Sequence, residues 1–83
     1  MSTVYAAFCN NYSESRLYVI WDLKRDPNAP PVIFNGYLDS DQCTDWLPIY
    51  TGDDLWGKVL YQRSDGPQQI VDTITDSTTV RMD

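Results

Sequence analysis

Eleven aspartates, one glutamate and two cysteines carry most of the reactive chemistry in this 83-residue chain, which has no histidine. The missing imidazole removes the commonest general base and the commonest metal ligand. Paired carboxylates can hydrolyse a glycoside, but with twelve acids chance pairs are plentiful, and so short a chain has little room for a cleft. Cys9 and Cys43 have no imidazole to activate them, and no serine sits in a Gly-x-Ser-x-Gly setting. Four scattered glycines do not make a phosphate cradle. Asp39-Ser40-Asp41-Gln42-Cys43-Thr44-Asp45 places acids at positions one, three and seven of a calcium-type loop, and Asp53-Asp54 could add ligands. The run lacks the glycine at six and the glutamate at twelve of an EF-hand. The residues therefore point to a protein that is not an enzyme and has neither cofactor nor metal.

The cysteines stand 34 positions apart with no Cys-x-x-Cys, which is not zinc spacing. They could close one disulfide. The chain opens Met-Ser-Thr-Val-Tyr, without a basic and apolar leader. That favours a cytoplasmic protein with two free, buried thiols.

Charge is segregated. Residues 26–57 hold no Lys or Arg and six acids: Asp26, Asp39, Asp41, Asp45, Asp53 and Asp54. The other six acids and all six bases cancel, so the whole net charge of −6 sits in that stretch. The same stretch carries Tyr37, Trp46, Tyr50 and Trp56. If its loops share one end of the fold, Tyr37, Asp39, Asp41, Asp45, Trp46, Tyr50, Asp53, Asp54 and Trp56 form an acidic, aromatic-edged surface. Such a surface suits a basic protein partner, with carboxylates standing in for phosphates and steering association. Carbohydrate is the alternative ligand, stacked on Tyr37, Trp46 or Trp56 and bonded by Asn35, Gln42 or Asp45. A third reading is a structural subunit, a homo-oligomer joined through strand edges. The acidic balance argues against direct nucleic-acid binding. No apolar run approaches the ~18 residues of a membrane span.

The elements that must hold these residues read as strands. In 16–23, Leu17, Val19, Trp21 and Leu23 alternate with Tyr18, Ile20 and Asp22, giving one strongly apolar face. Residues 4–9 read as its hairpin partner across an Asn/Ser-rich turn at 10–15. Three prolines make 24–31 a loop. Residues 32–39 alternate again, and Gly36 marks a bulge or a close backbone approach. Segment 40–50 fits either a short helix through Trp46 or a strand over 43–49. Residues 55–62 fit both periods, and Gly57, Val59 and Tyr61 favour strand. Residues 69–74 and Thr78–Met82 are β-branched and flank a turn.

The expected fold is therefore all-β: a single domain over 1–83, an antiparallel β-sandwich or partly open barrel of about seven short strands. The alternative is α+β with a short helix around 53–63. A chain this small buries little surface, so its three Trp, six Tyr and two Phe must supply much of the core.

Overall fold

A computed structural model describes residues 2–83. Its strands are β1 (Thr3–Asn10), β2 (Arg16–Asp22), β3 (Val32–Leu38), β4 (Leu47–Tyr50), β5 (Gly57–Arg63), β6 (Gln68–Ile74) and β7 (Thr78–Met82), with no helix among the described residues. They form a three-stranded sheet, β4-β1-β7, and a four-stranded sheet, β3-β2-β5-β6. The sheets enclose one apolar cluster and do not close into a barrel. The four-stranded sheet is antiparallel throughout, whereas β1 and β7 run parallel.

β1, β2 and β5 supply the core from alternate positions, as a sheet packed on one face requires. β1 gives Val4, Ala6 and Phe8, β2 gives Tyr18 and Ile20, and β5 gives Val59 and Tyr61. Leu38, Ile49, Ile74 and Met82 close the cluster at the strand ends. The Tyr18 and Tyr61 rings meet at 6.4 Å, tilted by 58°.

Several expectations are corrected. β1 and β2 are not a hairpin: β1 pairs with β4 and β7, and β2 with β3 and β5. The turn at 11–15 carries the chain between sheets. The buried face of β2 is Tyr18, Ile20 and Asp22, and the face bearing Leu17, Val19 and Trp21 lies outside. The inward polar tips are satisfied, which lets them be buried. The Tyr18 hydroxyl donates to Asn10 Oδ1 at 3.1 Å. The buried Asp22 carboxylate accepts from the Tyr50 amide at 2.9 Å, tying the two sheets together at one end. Segment 40–50 has no helix. It runs beside β1, with Cys43 opposite Cys9 and then β4. The expectation of strand over 55–62 holds, with β5 beginning at Gly57 and running to Arg63. The register shift in β3 lies opposite Ile20 and Trp21, not at Gly36.

Gly57 explains itself by contact. A Cβ there would overlap Cγ2 of the buried Ile49, where β5 meets β4. Gly57→Ala is expected to lower stability by about 1–3 kcal/mol through overpacking, read as a lower urea midpoint. Gly36, with only ordinary contact from Phe34, serves as the tolerant control.

Candidate functional site

The acidic stretch does not gather into one surface. β1 runs from Thr3, paired with Tyr50, to Asn10, whose amide bonds to the Gln42 carbonyl. Thr51–Asp54 turn chemistry sits beside Ser2, where the Thr51 amide bonds to the Ser2 carbonyl. The loop with Asp39 and Asp41 sits beside Asn10. Seven steps of about 3.3 Å put these ends roughly 23 Å apart. Asp45 and Trp46 lie between them, exposed along the flank of β1.

Local charge is also partly neutralised. Each of the six bases is in an ion pair: Arg16–Glu14, Lys24–Asp54, Arg25–Asp22, Lys58–Asp72, Arg63–Asp65 and Arg81–Asp41. That leaves Asp26, Asp39, Asp45, Asp53, Asp76 and Asp83 without a cationic partner among the described residues. The hydrogen bond from Arg63 is the main reason Asp65 is held below the usual carboxylate range. Asp41, at φ 59°, shapes the 39–42 turn, in which the Gln42 amide bonds to the Asp39 carbonyl. No three His, Cys, Asp or Glu side chains among the described residues cluster to hold a metal ion.

Of the aromatic residues expected at the site, two are already engaged. Lys24 Nζ lies 3.6 Å from the Trp56 ring centroid and donates to the Trp56 carbonyl. Arg25 stacks over Tyr50 at 5.1 Å. Tyr37 and Trp46 remain open, at 70% and 53% exposure, but Tyr37 lies in β3 of the four-stranded sheet and Trp46 just precedes β4 of the other.

A different surface stands out. The outer face of the four-stranded sheet carries an apolar row across every strand: Val32, Trp21, Leu60 and Ile70 are successive cross-strand partners. Its ends, Val32 and Ile70, are 52% and 60% exposed. Leu17 beside Tyr37 extends it along β2, while Asn35, Val19, Gln62 and Gln68 make a more polar second row. Beyond the strand end, Leu23 bonds to Lys58. These two residues, with Lys24, Pro27 and Trp56, line an open groove of about 410 Å³ that continues the face.

Comparison with protein families, characterised proteins and solved structures finds no match.

The sequence did hold a signal for this face. Residues 17–21 of β2 are apolar at every position, so whichever face turns inward, an apolar face turns outward. β2 buries only the side that carries Tyr18, Ile20 and Asp22, so the apolar residues of its other side are left on the outer face.

The cysteines correct another expectation. Cys9 and Cys43 are not free thiols but a disulfide. Asn10 bonds to Gln42 on one side of the bridge and Thr44 to Phe8 on the other, so the backbone presents the two residues to each other. Cys9 is buried and Cys43 exposed.

Proposed function

We propose that this chain is a binding module that docks a basic protein on the outer face of its four-stranded sheet. The observation that supports this most is the Val32-Trp21-Leu60-Ile70 row, which crosses the sheet without a charge. Apolar and aromatic residues that become desolvated on contact dominate binding energy. The six acids without cationic partners all fall outside the four strands of this sheet. Their role is long-range: they attract a positively charged partner and speed its arrival. The sugar-binding alternative gains little from Trp56, because Lys24 covers one face of its ring. The Cys9–Cys43 disulfide supports an oxidising compartment as the place of work, rather than the cytoplasm expected from the sequence.

The test compares capture of basic proteins by wild type, Leu60→Asp and Tyr5→Asp. Leu60 is half-buried in the row, and Tyr5 is exposed on the other sheet. Leu60→Asp is expected to weaken retention at least about tenfold, roughly 1.4 kcal/mol, with Tyr5→Asp close to wild type. Raising salt should slow association more than it speeds dissociation. Equal retention by Leu60→Asp would reject this face as the docking surface.

A further inference from the structure

We infer that β3 is the site of self-association: two copies pair β3 with β3 in antiparallel fashion and join their four-stranded sheets into one. This surface is the edge of the sheet and is separate from the docking face. An unpaired edge is a template for another strand unless something blunts it. Three of the four edges are blunted. β4 is four residues long and contains Pro48. β6 carries Asp72 and has Thr73 at φ 55°. β7 carries Arg81. β3, Val-Ile-Phe-Asn-Gly-Tyr-Leu, has seven residues, no charge and no proline.

The hydrogen-bond phase specifies how a second copy fits. Leu17 in β2 and Leu23 just past its end bond to Ser64 and Lys58 on the β5 side, and Asp22 bonds to Pro31 on the β3 side. Alternation along β2 then assigns Tyr18 and Ile20 to bonding with Gly36 and Phe34. Asn35 and Tyr37 are left with their N–H and C=O directed outward. A two-fold axis at Gly36 sets Asn35 of each copy opposite Tyr37 of the other, giving four backbone hydrogen bonds, and pairs the two glycines. That central pair is of the non-hydrogen-bonded kind, where strands approach most closely. Gly36 is otherwise unexplained: it needs no positive φ, and a Cβ would meet only the Phe34 ring at ordinary contact distance. The register shift opposite Ile20 and Trp21 leaves residues 34–38 regular.

The occupant is a second copy because the match is self-complementary and the edge itself is neutral. A basic peptide would find no carboxylate along β3. Each copy carries −6, so salt should strengthen the dimer, opposite in sign to its effect on a basic partner.

Sedimentation equilibrium at about 1 mM chain tests this, with the apparent Kd expected to fall about threefold or more from low salt to ~0.5 M NaCl. Asn35→Pro removes an outward N–H and no bond to β2, and should weaken association at least tenfold. Charge exchange keeps the test decisive if that variant folds poorly. Asn35→Glu with Tyr37→Glu sets like charges opposite across the axis, as does Asn35→Lys with Tyr37→Lys. All four substitutions fall at exposed positions. Each variant alone should be monomeric, and their mixture should form a heterodimer. The net charges are then −6 − 2 = −8 and −6 + 2 = −4, so bulk attraction does not drive mixing. A monomeric wild type in high salt overturns the inference. So does a dimer that survives Asn35→Pro and both charge pairs, or a mixture that stays monomeric.

Discussion

Asn10→Asp should cost about 4 kcal/mol at neutral pH, a large part of the total for a domain of this size. Asn10 is wholly buried at the end of β1. Its Nδ2 donates to the carbonyls of Glu14 at 2.7 Å and Leu38 at 2.9 Å, with a longer approach to Asp39 at 3.3 Å. Its Oδ1 accepts from the Tyr12 amide and the Tyr18 hydroxyl. One side chain therefore fixes the turn after β1, the end of β3 and the middle of β2. Aspartate keeps the accepting side but aims a second oxygen at carbonyl oxygens. Desolvation and those carbonyls would raise the new carboxyl's pKa above its unfolded value near 3.9. The folded state then binds a proton the unfolded state lacks between the two values, so stability is lost as pH rises through the folded pKa. The deficit relative to wild type should shrink from pH 7 to pH 4. Urea melts at both pH values check it, and a deficit constant with pH would mean the carboxylate finds no such environment. Burial, with Tyr12 next in effect, also pushes the Tyr18 phenol upward. It stays a donor to Asn10, and wild-type stability should fall as pH climbs past the ordinary phenol value of about 10.

Asn10 shows why the fold was legible in outline but not in its connections. Alternation at 16–23 and 32–39, and turn residues at 64–67 and 75–77, suffice to name strands. They do not say which strand pairs with which. Asn10-Asn11 looks like a hairpin turn because Asn favours turns locally. Here its side chain is used across 28 positions to hold Leu38, a contact no local pattern encodes. β2 is similar. Both of its faces are apolar, and the choice between them rests on whether Tyr18 and Asp22 find partners in other strands. The acidic surface failed for a related reason. Contiguity in sequence placed Asp39 and Asp54 in one stretch, but the run beside β1 carries the chain from one end of the sandwich to the other. The outer row of β2 was readable as a pattern and lacked only the pairing that lines up Val32, Leu60 and Ile70.

Reduction of Cys9–Cys43 should lower unfolding free energy by roughly 3–4 kcal/mol, the chain-entropy value for a loop closed over 34 positions. The argument has two parts. In the unfolded chain the bridge confines the 9–43 segment, which contains all of β2 and β3. In the folded chain it pins residues 42–44 to the end of β1 where Asn10 sits, so the backbone bonds Asn10–Gln42 and Thr44–Phe8 share its geometry. Without it those bonds can open locally, exposing the buried Asn10 to water. Cys43 is exposed, so a small phosphine can reach the bridge without global unfolding. Urea melts with and without reductant should show a lower midpoint for the reduced chain. Hydrogen exchange should place the fastest new opening at the amides of Asn10 and Thr44, ahead of those in β5. If the midpoint falls but exchange rises evenly, the bridge acts through the unfolded chain alone. If neither changes, the backbone bonds beside the cysteines already hold this end of the sandwich.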